Sequence, residues 1–72
     1  MVVIIKVDDD NYGSKYCYLA DGLDSAKEFI CKDAECSIEE LPDYEQQSIS
    51  PNCKVYDFDD LIYRIHLKPE NV

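Results

Sequence analysis

Nine acidic side chains and a single base, Lys54, fall between residues 33 and 60, a net charge of −8 in 28 residues of a 72-residue chain. Carboxylates are rarely buried without a partner, so this block belongs at the surface, and a chain this short has one small core to build. Such a domain buries only about 60% of the surface its unfolded chain exposes, while clustered like charge destabilises the compact state by self-repulsion. Leu, Ile, Val and Phe nevertheless make up 19 of the 72 residues, and there are six tyrosines. That share is above the roughly 20% below which highly charged chains stay disordered. The expectation is one folded domain over residues 1–72, which leaves no room for a multidomain enzyme.

The elements follow from local pattern. Val2-Val3-Ile4-Ile5-Lys6-Val7 is β-branched apart from one lysine, which suits a strand. Asp8 to Ser14 gathers turn formers, and Lys15 to Ala20 resumes with Tyr16, Tyr18 and Ala20 on one face, so the pair reads as a β-hairpin with a long acidic loop. Asp21-Gly22 breaks the strand. Ser25 and Glu28 have the spacing of a capping box, and Ala26, Phe29, Ile30 and Ala34 form an apolar stripe, predicting a helix that begins at Ser25 and covers the hairpin. Ser37 and Glu40 repeat the capping spacing, but Pro42 limits that segment to a short turn ending near Leu41, and residues 42–52 read as an irregular surface loop.

In the last third, Phe58, Leu61, Ile62 and Ile65 match a helix, whereas Leu61, Tyr63, Ile65 and Leu67 match a strand. Both templates fit. The richness in Val, Tyr, Phe and Ile favours two strands, 53–58 and 61–68, with Asp59-Asp60 as the bend. The resulting fold class is α+β: a small antiparallel sheet, ββαββ, with one helix on one face.

The charge points to a partner. Residues 1–32 carry −2 and residues 61–72 carry +1, so the net −9 is concentrated in the 33–60 block, with Asp8-Asp9-Asp10 as a second focus. Direct binding to nucleic acid or an anionic membrane is disfavoured, and a basic protein surface is favoured. On an extended segment Asp57 and Asp59 would project from one face about 6–7 Å apart. That spacing is comparable to adjacent phosphates, which basic grooves of DNA-binding proteins are built to receive. The bland alternative is that acidity serves only solubility.

In size and charge the chain resembles the small acidic host-takeover proteins and DNA mimics of bacteriophages. The resemblance lies in Asp8-Asp9-Asp10, Glu39-Glu40, Asp43, Glu45 and Asp57 with Asp59-Asp60. It implies an inhibitor in the host cytoplasm that blocks the DNA site of a basic protein, with nucleoid proteins of the HU type, RNA polymerase and restriction or CRISPR effectors as target classes. Tyr12, Tyr44 and Tyr56 adjoin the acidic clusters and are candidate contacts, because tyrosine brings large area with a polar tip; the alternative is that Tyr56 belongs to the core and Tyr44 anchors its loop.

Other chemistry finds less support. Cys17, Cys31, Cys36 and Cys53 include one close pair, Cys31 and Cys36, whereas a structural zinc site draws on two short ligand pairs. Two disulfides would suit a secreted domain, but no export signal is visible, and reduced cysteines acting as small apolar residues fit a cytoplasmic protein. Asp8 to Gly13 begins like a calcium loop, with acids at positions 1 and 3 and glycine at 6, then places Tyr12 at position 5 and Leu19 at position 12, where the bidentate glutamate belongs. His66, the lone histidine, falls beside Arg64 and Lys68 on a mildly basic strand. The chain is therefore expected to be non-enzymatic and to need no cofactor. No run reaches the ~18 apolar residues of a membrane span. The alternative function is a non-catalytic interaction module binding through apolar contact, and homodimerisation would cover the open face and edges of a small sheet.

Overall fold

The structure is a computed structural model and describes residues 1–46 and 52–67. In chain order it contains β1 (Val2–Asp8), β2 (Ser14–Ala20), α1 (Leu23–Ala34), α2 (Leu41–Tyr44), β3 (Glu45–Gln46), β4 (Cys53–Asp57) and β5 (Leu61–His66). The class is α+β, a five-stranded antiparallel sheet with one main helix. The expected ββαββ string is too short, since β3 and α2 lie in the stretch read as irregular. The strand order β2-β1-β5-β4-β3 puts the first and last strands side by side at the centre.

β1 takes that place because its β-branched run makes two ladders at once, Ile4 lying opposite both Tyr18 of β2 and Ile65 of β5. Residues 53–57 and 61–66 are strands, as their composition favours, with the bend at Phe58 to Asp60; Lys68, the expected end of β5, lies outside the described residues. Alternation sorts the side chains of each strand. Val2 and Ile4 of β1, Tyr56 of β4, and Tyr63 and Ile65 of β5 turn to one face and are buried with Ala26, Ile30 and Cys31 of α1 and Leu41 of α2. Tyr18 packs its ring on Phe29 at 4.6 Å.

α1 starts two residues earlier than the Ser25 box predicts. Gly22 is the N-cap with no side-chain cap, and its carbonyl accepts from Ala26 N at 3.0 Å. Leu23 therefore enters the helix and packs against the core, a tertiary gain that overrides the local capping signal. α1 ends on Glu35 in the left-handed region, φ 60°, with Cys36 N donating to Cys31 O at 2.9 Å, the six-to-one bond of a Schellman end. The second capping box does form: Ser37 N donates to Glu40 Oε1 at 3.0 Å and Glu40 N to Ser37 Oγ at 3.2 Å. Pro42 does not stop the chain there. It occupies the first turn of α2, where its missing N–H costs nothing.

Candidate functional site

The first acidic segment closes the β1–β2 hairpin. Asp8 accepts from Asp10 N at 3.1 Å and caps a 3-10 turn over Asp9–Asn11, after which Tyr12 and Gly13 take φ of 58° and 71° to reverse the chain. The second closes the β4–β5 hairpin: Asp57 Oδ1 accepts from Asp59 N at 2.9 Å, and Asp59 sits at φ 71°. Aspartate suits such positions because its short carboxylate bonds the backbone two residues on. Because β1 and β5 are neighbours, with Asp8 opposite Leu61, the two hairpin ends adjoin, and Asp9 N donates to Asp60 O at 2.9 Å. Six aspartates at 8, 9, 10, 57, 59 and 60, about 50 positions apart in the chain, thus share one end of the sheet. The crowding registers in Asp10, whose carboxyl is held above the usual carboxylate range chiefly by the Asp60 charge.

The extended spacing expected for Asp57 and Asp59 does not occur. β4 ends at Asp57 and the chain turns, so these carboxylates gather in a hairpin bend instead of repeating along a strand. The other candidates divide. Tyr44 stacks on Phe58 at 4.3 Å, and Phe58 meets Tyr63 edge-on at 5.6 Å; these rings hold α2, and Asp43 with it, beside the second acidic hairpin. Glu39 is exposed, while Glu40 is engaged in its capping box. Glu45 is exposed but engaged, accepting from Lys54 Nζ at 3.3 Å and from Tyr56 OH at 3.2 Å. Tyr56 is fully buried and is a core residue, which corrects its place among the candidate contacts: facing Tyr63 across β4 and β5, it turns toward the helices. Tyr12 is fully exposed at the acidic end.

A polar cluster behind this end was not anticipated from sequence. Asp33, in the last turn of α1, pairs with Lys6 Nζ at 2.7 Å and accepts from Tyr63 OH at 2.5 Å. Burial alone would push the Asp33 carboxyl up, but the hydrogen bonds from Lys6 and Tyr63 outweigh it and hold the group below the usual range. Asp33 reciprocally raises Lys6, and burial followed by the Asp33 bond raises Tyr63. The available signal was Lys6, the one charge in an otherwise β-branched run. The cluster fixes α1 to the sheet and neutralises one acid of the block.

Cys36 is pushed up to about 11 by burial and its contact with Cys31, a poor state for a nucleophile. Cys17 is exposed and Cys31 buried. Among the described residues no group of three or more His, Cys, Asp or Glu side chains is placed to hold a metal ion, and no helix is long and apolar enough to cross a membrane. A cavity of about 60 Å³ lies between Lys27, Leu41 and Tyr56, well below the roughly 300 Å³ at which ligand pockets begin. No protein-family model, curated protein or solved structure matches the chain.

Proposed function

We propose that this protein is a non-catalytic inhibitor that presents its acidic end to the basic DNA-binding surface of a host nucleic-acid-binding protein and excludes nucleic acid from it. The observation that carries this reading is the joining of two acidic hairpins through Asp9 N and Asp60 O. It converts charges remote in sequence into one anionic surface on a backbone held by two β ladders. Asp8, Asp9, Asp10, Asp57, Asp59 and Asp60 act as phosphate surrogates, Asp43 extends the surface, and the exposed Tyr12 offers an aromatic contact. Nucleoid proteins of the HU type, RNA polymerase and restriction or CRISPR effectors are the target classes this chemistry suits. Exposed charges are screened beyond ~8 Å at physiological ionic strength, so capture is fast and salt-sensitive.

The test is displacement of labelled duplex DNA from an HU-type protein, followed by anisotropy over a salt series. Displacement should weaken as salt rises. The quadruple variant Asp9→Asn, Asp10→Asn, Asp59→Asn, Asp60→Asn should lose about tenfold or more, since each exposed charge contributes about 0.2–1 kcal/mol. Equal displacement by wild type and variant would sink the proposal. A second reading, an interaction module working through apolar contact, draws on the half-buried Val3, Ile5 and Val7 on the sheet face away from α1; it requires a complex indifferent to both salt and duplex DNA.

A further inference from the structure

We infer that the sheet face turned away from α1 is the contact surface for a second copy of this chain, packed about a two-fold axis parallel to the strands. This inference shares only Asp57 with the inhibitor reading and otherwise rests on the flat of the sheet, away from the hairpin ends. Both helices pack on the face that carries Tyr56 and Ile4. On the other face strand register lays out rows of side chains. One row runs Lys15, Val7, Ile62, Asp57 across β2, β1, β5 and β4, and the next runs Cys17, Ile5, Arg64, Val55. Leu19, in the row beyond, is 65% exposed. The face thus combines apolar side chains with the exposed Arg64 and His66 of β5, and carries a cation, Lys15, at one corner and an anion, Asp57, at the corner across from it.

Two faces of this kind can be laid together about a two-fold axis that runs along the strands or across them. A two-fold axis running along the strands, between β1 and β5, exchanges left and right within each row. Lys15 then meets Asp57 of the second copy, Val7 meets Ile62, Cys17 meets Val55 and Ile5 meets the stem of Arg64, each contact occurring twice as an isologous interface requires. A two-fold axis across the strands would instead lay Arg64 on its own copy and set Lys15 against Leu19. Like charges in contact at an interface centre are strongly unfavourable, so the charges select the first axis. Lys15 and Arg64 make no ion pair among the described residues, and so both are available.

Four strands about 4.8 Å apart, with three rows over about six residues at ~3.4 Å, give about 400 Å² of face per copy. The pair buries about 800 Å², below the roughly 1,200–2,000 Å² of stable specific interfaces, so the dimer is weak and reversible. This axis also brings both acidic ends to the same end of the assembly. Salt that screens them should strengthen association, opposite in sign to its effect on capture of a basic partner.

Sedimentation equilibrium of the full chain in reductant, from about 10 μM to 1 mM, reads the outcome. The expected result is a monomer–dimer equilibrium whose dissociation constant falls severalfold between low and physiological salt. Lys15→Glu should weaken it at least fivefold more than Lys32→Glu, which makes the same charge change on the exposed surface of α1, and Leu19→Lys should weaken it about tenfold without altering the circular dichroism. Val55→Cys, which places a thiol opposite Cys17 of the second copy, should form a disulfide dimer on mild oxidation that Cys17→Ser abolishes. A monomer at 1 mM at both salt levels, equal effects of the two lysine reversals, or linkage of Cys17 to its own copy in the unaltered chain would each overturn the inference. Because duplex displacement is scored separately and responds to salt with the other sign, either reading can fail without the other.

Discussion

Replacing Tyr63 by Phe removes one hydroxyl from the centre of the molecule and tests whether α1 is fastened to the sheet through Asp33. Tyr63 is fully buried and its OH lies 2.5 Å from Asp33 Oδ2, which also receives Lys6 Nζ at 2.7 Å. A hydrogen bond to a charged group is worth about 1.5–3 kcal/mol. The Asp33 side chain is 27% exposed and keeps Lys6, so water can satisfy the abandoned lone pair and the loss belongs in the lower part of that range, about 1.5–2 kcal/mol. For a domain of this size each kcal/mol moves Tm by about 4–8 °C, so a fall of about 10 °C is expected in far-UV circular dichroism melts at pH 7. The effect has a pH signature. Asp33 is lower in the folded chain than in the unfolded one, so its contribution is complete above the ordinary carboxylate range and is lost as pH falls through the folded value. The gap between wild type and Tyr63→Phe should therefore narrow below about pH 4. A Tm within 2 °C of wild type at pH 7, or an equal gap at pH 7 and pH 2.5, would refute the reasoning.

Other outcomes follow from the same geometry. Lys6, Tyr56 and Tyr63 are all raised in the folded state, by the Asp33 bond for Lys6 and by burial first for both tyrosines; stability from these groups is present below their unfolded values and lost as pH rises from about 10. Tyrosinate absorbance should show two of the six tyrosines ionising only with the loss of circular dichroism. Glu35→Gly relieves the left-handed C-cap at φ 60° and should raise stability by about 0.5–1 kcal/mol in urea titrations, because glycine carries no Cβ penalty there. Asp60→Asn removes the charge chiefly responsible for raising Asp10, so the Asp10 carboxyl titration followed by NMR should move down toward the ordinary range; an unmoved Asp10 would mean that the two hairpins do not adjoin.

What the sequence made legible was whatever local pattern decides. The β-branched run of β1, the turn formers from Asp8 to Ser14 and the apolar stripe of α1 each correspond to an element. From Phe58 to Leu67 the apolar residues fit helix and strand equally by period, and composition favoured the strand that forms over Leu61–His66. The Ser25 signal lost because Leu23 gains burial by joining the helix, and the 42–52 reading missed α2 and β3 because Leu41 and Tyr44 are held by distant partners, Tyr44 by Phe58. The acidic residues were countable, but their meeting depends on β5 pairing with β1, a long-range contact that no local pattern states. Tyr56 was weighed as both contact and core; pairing with Tyr63 across two strands decided for the core.

That central pairing also accounts for how a small domain tolerates its charge. The strands that bring the acidic hairpins together are the ones with the most buried apolar side chains, Val2 and Ile4 in β1 and Tyr63 and Ile65 in β5, and burying such a side chain stabilises by about 1.5–3 kcal/mol each. Of the repelling aspartates, Asp9, Asp10, Asp59 and Asp60 are exposed in the turns, where each pair is screened and contributes little. Repulsion at the rim is therefore opposed by the core that the same two strands build farther along the sheet. Asp33 is given a lysine and the Tyr63 hydroxyl, and Glu45 a lysine and the Tyr56 hydroxyl. Keeping the six crowded aspartates on the hairpin ends, and giving each carboxylate that reaches buried Tyr63 or Tyr56 a lysine, lets an acidic surface form without requiring a larger domain to hold it.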